Sequence, residues 1–152
     1  MNGYPAEHFF LTVQNIEDYL LEGQGHGAVV RTPMQAQETG FLCKLTVDGN
    51  LFFLRVRVDR GLGFVLCDLY PTLKFPEEKL QELSGWCIEQ TAQWRAGSLQ
   101  IDFSRGTVFA HVETAFRDGA VSRETIAYME QLLLSVLLSH YEELTALAQR
   151  EE

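Results

Sequence analysis

The chain has 152 residues, 46 % of them hydrophobic and 22 % charged, and a formal net charge of −9. That length fits a single domain over 1–152, and that composition excludes a disordered chain. The acidic field disfavours nucleic acid and anionic membrane surfaces, which leaves neutral or basic proteins as the expected partners.

Cys43, Cys67 and Cys87 are odd in number, widely spaced and free of any C-x-x-C pair. This spacing argues against a disulfide framework or a zinc site and for a reducing cytoplasm. The opening MNGYPAEHFF lacks the basic-then-apolar layout of a signal peptide. Between Glu130 and Glu142 runs QLLLSVLLSH, far short of the roughly 20 apolar residues that span a bilayer. No membrane anchor is expected.

In chain order, Val13, Ile16 and Leu20 predict an amphipathic helix over Thr12–Glu22, stopped at Gly23. A short strand is expected at 28–31. FLCKLTV-DG-NLFFLRVRV (41–58) carries Asp-Gly between two β-rich runs, the signature of a type I′ hairpin. Pairing Val47 with Asn50 puts Phe41, Cys43, Leu45, Phe52, Leu54 and Val56 on one face, and a slip of one residue scatters them. A third strand over 64–69, with Phe64 opposite Asp59, adds Val65, Cys67 and Leu69 to that face.

Pro76 and Glu77–Glu78 then open a helix whose stripe is Leu80, Leu83, Cys87, Thr91 and Trp94. A second hairpin follows, with Leu99, Ile101 and Phe103 alternating before SRG, and Val108, Ala110, Val112 and Phe116 after it. Ser122 is the expected N-cap of a last helix from Arg123 to about Ala148, about 40 Å long and long for so small a domain.

Chemistry is sparse along this chain. His8, His26, His111 and His140 show no ligand spacing, GQGHG and RGLG lack the G-x-G-x-x-G pattern, and no serine elbow or P-loop occurs. No metal or cofactor is expected. The cysteines read as small core residues, and His140 as a core histidine in the apolar stripe of the last helix. His111 and Glu113 share one strand face and are the only pair on which an enzyme reading can be built; two polar residues on a solvated face is the simpler account.

Two surfaces stand out. Opposite the core face, the first sheet carries Leu42, Leu51, Phe53, Phe64 and Leu66 beside Lys44, Arg55, Arg57 and Asp68. That is too apolar for a fully wetted face, so either another element of the chain or a partner covers it, and cover by the chain itself is the favoured expectation. Arg55 and Asp68 form a cross-strand ion pair expected to contribute at most about 1 kcal/mol. On the last helix, Leu134, Leu138 and Tyr141 form a second ridge outside the main stripe of Ile126, Met129, Leu133, Val136, Leu137, Leu144 and Leu147. The ridge predicts a two-fold homodimer interface, with the segment around Phe9 and Phe10 as the alternative cover.

The order helix, strands, helix, hairpin, long helix resembles the YbjN-like family of bacterial proteins, whose fold is similar to that of type III secretion chaperones. The segments that carry the resemblance are GSLQIDFSRGTVFAHVETAF, the turn RDG and VSRETIAYMEQLLLSVLLSHYEEL, with EDYLLEGQGHGAVV and FPEEKLQELSGW upstream. The strand at 28–31 exceeds the chaperone strand count. The resemblance implies an α+β domain with an antiparallel sheet. It also implies a non-enzymatic cytoplasmic protein, dimeric, that binds or regulates a protein client, with no catalytic residue to carry over.

Overall fold

The computed structural model describes residues 6–23, 25–32, 38–94, 96–116 and 118–149. Among these, four helices lie against one six-stranded sheet in which every neighbouring pair is antiparallel. In chain order the elements are α1 (Ala6–Glu22), β1 (His26–Arg31), β2 (Glu38–Val47), β3 (Asn50–Asp59) and β4 (Phe64–Pro71). They continue with α2 (Glu77–Thr91), β5 (Ser98–Asp102), β6 (Thr107–Ala115), α3 (Arg123–Ser139) and α4 (Tyr141–Gln149). The sheet order β1-β2-β3-β4-β6-β5 makes the fold α+β. No described helix is long and apolar enough to cross a membrane.

The β2–β3 register is the one that the Asp-Gly turn dictates. Val47 faces Asn50, Leu45 faces Phe52, Cys43 faces Leu54 and Phe41 faces Val56. Asp48 and Gly49 both have positive φ, 52° and 82°, as a type I′ turn requires. On β4, Val65, Cys67 and Leu69 join the same buried face. Leu80, Leu83 and Cys87 of α2 belong to one core with them, as do Phe9, Val13, Ile16 and Leu20 of α1.

Four elements differ from the sequence pattern. First, α1 begins two turns early because Phe9 is buried, its ring 6.5 Å from that of Phe116. The threonine expected to start the helix is buried inside it, where its hydroxyl accepts from Val121 N at 3.0 Å. Second, α2 stops at Thr91, whose hydroxyl accepts from Leu99 N at 2.8 Å, so Trp94 packs from beyond the helix end. Third, Phe103 lies past β5 in the turn and is exposed. Fourth, the last helix is two helices. Ser122 caps α3 as expected, accepting from Thr125 N at 3.2 Å, but regular helix ends at Ser139. His140 leaves helical geometry (φ −116°, ψ 5°), its N–H bonding to the Leu137 and Leu138 carbonyls. Its ring sits edge-on to Trp86 at 5.3 Å and 6.4 Å from Trp94, so two tryptophans hold the imidazole where the helix breaks.

Among the described residues, no helix supplies the cover expected over the second sheet face. The core assembled from α1, α2, α3, α4 and the inward strand residues takes in none of Leu42, Leu51, Phe53, Phe64 and Leu66. All four helices pack on one side, because α1, α2 and α3 each present an apolar stripe to the same inward residues. Val30 of β1 sits opposite Leu42 and continues the helix-free surface.

Candidate functional site

That open face is where the polar chemistry collects. Strand alternation aims Arg55 and Arg57 (β3), Asp68 and Tyr70 (β4), and Phe109, His111 and Glu113 (β6) the same way. Pairing of β4 with β6 sets His111 directly opposite Asp68, and pairing with β3 sets Arg55 opposite Asp68 on the other side.

Asp68 is 1 % exposed although it lies on the helix-free face. Three basic side chains on two flanking strands enclose it. Its Oδ1 meets His111 Nδ1 at 2.6 Å, and its Oδ2 accepts from Arg55 Nη2 at 2.8 Å and Nε at 3.2 Å, with Arg57 Nη2 at 3.4 Å. The sequence pattern of one exposed ion pair therefore understates the arrangement. Burial alone would lift the Asp68 pKa, but hydrogen bonds from His111 and Arg55, and their charges, outweigh it and hold the carboxyl below its ordinary value.

The other ring nitrogen of His111, Nε2, lies 2.9 Å from Glu113 Oε1. With a carboxylate oxygen at each nitrogen, the surroundings favour the imidazolium form, which donates at both. The hydrogen bond to Asp68 is the main cause of its raised pKa, ahead of the opposing effect of burial, and the bond to Glu113 adds to it. A ring engaged in this way has no free lone pair with which to take a proton from a substrate. His111 and Glu113 are thus brought together as their spacing implied, but as parts of a carboxylate–imidazolium–carboxylate array.

Tyr70 closes the array at one end. Its ring stacks on Phe109 at 4.8 Å, and Arg55 and Arg105 lie over it at 5.7 and 5.1 Å. Its hydroxyl accepts from Arg55 and donates to Asp102 at 3.2 Å. Beside it a cavity of about 390 Å³ is bordered by Gly40, Leu42, Arg55, Arg57, Arg105 and Glu38, among others.

A second polar cluster, missed by spacing arguments, lies on the helix side. His26 Nε2 meets Glu130 Oε1 at 2.8 Å, and Tyr19 donates to the same oxygen at 3.1 Å. Glu130 is 4 % exposed. The partners are 104 residues apart in the chain, so no local pattern announces them. Gly23 packs directly on the His26 ring, leaving no room for a side chain there.

The ridge on the last helices is largely internal. Leu134 is 7 % exposed and part of the core, while Leu138 and Tyr141 are half-buried against it, Tyr141 with its ring 5.6 Å from Phe52. The sheet, rather than the segment around Phe9 and Phe10, supplies this cover: Phe9 packs on Phe116, and Phe10 is exposed. All three cysteines are buried, and burial pushes the thiols up, Cys43 and Cys87 to about 11, which suits core residues and not nucleophiles. Among the described residues no group of His, Cys, Asp or Glu is arranged to hold a metal ion.

No protein-family model and no curated protein matches the chain.

Proposed function

We propose that this protein is a non-enzymatic protein-binding module of the chaperone-like or regulatory kind, YbjN-like in layout and working in the bacterial cytoplasm. One observation carries the reading: a six-stranded sheet with every helix on one side leaves Leu42, Leu51, Phe53, Phe64 and Leu66 on a helix-free face. Large apolar groups collected on an open face support association with another protein. A homodimer belongs to the same proposal. With Leu134 inside the protomer, its interface along the last helices is reduced to Leu138 and Tyr141.

The alternative, a small enzyme centred on His111 and Glu113, draws on the Asp68–His111–Glu113 array. Saturation of both imidazole nitrogens weighs against it.

A photo-crosslinking residue placed at Phe53 tests the reading in living cells, with the same residue at Ile88, 70 % exposed on α2, as control. Adducts with another polypeptide are expected from position 53 and not from 88, and an adduct of twice the chain mass would report self-association. No adducts from position 53, or equal yields at both positions, would refute the sheet face as a binding surface.

A further inference from the structure

We propose that the cavity beside Gly40 receives the carboxylate of an acidic side chain on a bound peptide segment, with Arg57 as its principal donor. The proposal rests on the open sheet face being a protein-binding surface, and it specifies the partner's chemistry.

The cavity exists because a side chain is missing. Gly40 points to the open face and pairs with Arg57 across the β2–β3 ladder. Its φ is not in the left-handed region, and a Cβ there would meet only ordinary contacts: Thr32 Oγ1 and the Val56 carbonyl at 3.4 Å, Arg57 Cγ at 3.6 Å. Neither backbone strain nor crowding demands glycine. What the glycine provides is space next to a guanidinium.

Donor accounting points to Arg57. Each guanidinium carries five N–H groups. Arg55 makes three hydrogen bonds, two to Asp68 and one to Tyr70, and Arg105 is ion-paired with Asp102 at 3.8 Å and stacked over Tyr70. Arg57 makes one long contact, 3.4 Å, to an Asp68 oxygen that Arg55 already holds more closely. Its Nε is buried with no hydrogen-bond partner among the described residues, so the guanidinium is the least satisfied of the three.

Charge sets the ligand class. In a chain of net charge −9, the cavity's own lining carries Arg55, Arg57 and Arg105 with one carboxylate, Glu38, while Asp68 stands behind Arg55 and Arg57, and Asp102 beside Arg105. A neighbouring cavity of about 520 Å³ shares Arg105 and adds Lys74 and Phe53, with no carboxylate in its lining. A planar monoanion matches a guanidinium fork, whereas the acidic field of the whole protein penalises a polyanion. Leu42 and Phe53 offer apolar contact to residues flanking the acid.

The experiment pans displayed random dodecapeptides on the full chain, on Arg57→Gln and on Gly40→Val. Wild-type pools are expected to converge on one Asp or Glu flanked by apolar residues. A selected peptide made with its acid changed to the amide should bind roughly tenfold more weakly or worse. That amide change should cost nothing further on Arg57→Gln, and Gly40→Val, which fills the space, should weaken the acidic peptide while keeping all three arginines. Should Arg57→Gln fail to fold, the Gly40→Val comparison still decides. Apolar peptides without acid enrichment would overturn the carboxylate pocket and leave the sheet-face reading intact. Pools with no convergence would overturn both. Displacement of the peptide by inorganic phosphate or free succinate at equal concentration would overturn the peptide assignment in favour of a small-anion site.

Discussion

Asp68→Asn tests whether the open face is organised around one carboxylate. The substitution keeps the shape and removes the charge that His111, Arg55 and Arg57 share. Two of the contacts are short, 2.6 Å to His111 and 2.8 Å to Arg55. Charge-assisted bonds of this kind contribute about 1.5–3 kcal/mol each. The arginine side chains are 35 % and 36 % exposed, so their released ends find water and part of that energy is recovered. The expected loss is then about 2–3 kcal/mol in urea melts near neutral pH. The pH dependence has a fixed sign. A carboxyl whose folded pKa is lowered stabilises fully above its unfolded value of about 3.9, and that stability fades as pH falls through the folded value. Wild type and variant should therefore converge only in strong acid. NMR gives a second measurement: with its main raising partner gone, His111 should titrate closer to about 6.5. A loss below about 0.5 kcal/mol, together with an unmoved His111 titration, would refute Asp68 as the organising group.

His111→Gln addresses the same array from the other end. Since the folded pKa of His111 is raised, its contribution is complete below about 6.5 and is lost as pH rises through the folded value. Urea midpoints of the wild type should fall across that window, and those of the variant should stay flat. Leu54→Ala, at a site walled by Cys43 and Leu69 on the neighbouring strands, should cost about 2–5 kcal/mol, and a value near zero would break the hairpin register. Gly23→Ala would place a methyl 2.3 Å from His26 Nδ1 and should destabilise by about 1–3 kcal/mol. Gly85→Ala, with nothing within 4 Å in mid-helix, should instead stabilise by about 0.5–1 kcal/mol, and thermal melts of the pair would show whether the contrast holds.

The hairpin was legible in the sequence because two independent signals agree on it, the Asp-Gly turn and the strict alternation on either side. That the inner face meets the stripe of α2 was legible too; that the outer face stays free of helices was not. Leu42, Phe53 and Leu66 make the outer face nearly as apolar as the inner one, and alternation cannot say whether a helix covers it as well. Burial of Asp68 depends on β6 lying beside β4, a strand order that no local pattern encodes. Residue spacing brought His111 and Glu113 together correctly but could not see the carboxylate on the far side of the ring. On the last helix, Glu130 stands one turn before Leu134 on the same ridge. A carboxylate there suggests an outer surface until His26 and Tyr19 are found enclosing it. At the break, His140 packs against Trp86 and Trp94, far away in sequence, and periodicity alone runs straight through it.

The two ends of the sheet bear on how such a protein stays dispersed. At one end, β1 sets His26 against Leu45 but Val29 against Cys43, three residues against two, so a bulge throws its outer row of amides out of phase. At the other, β5 is only five residues long, and the Leu99 amide is already taken by Thr91. A stray strand arriving at either border finds no regular template to extend, so growth by strand addition, the route to fibrils, is frustrated at both ends. The helix-free face is thus framed by two borders that offer no regular backbone to a second copy.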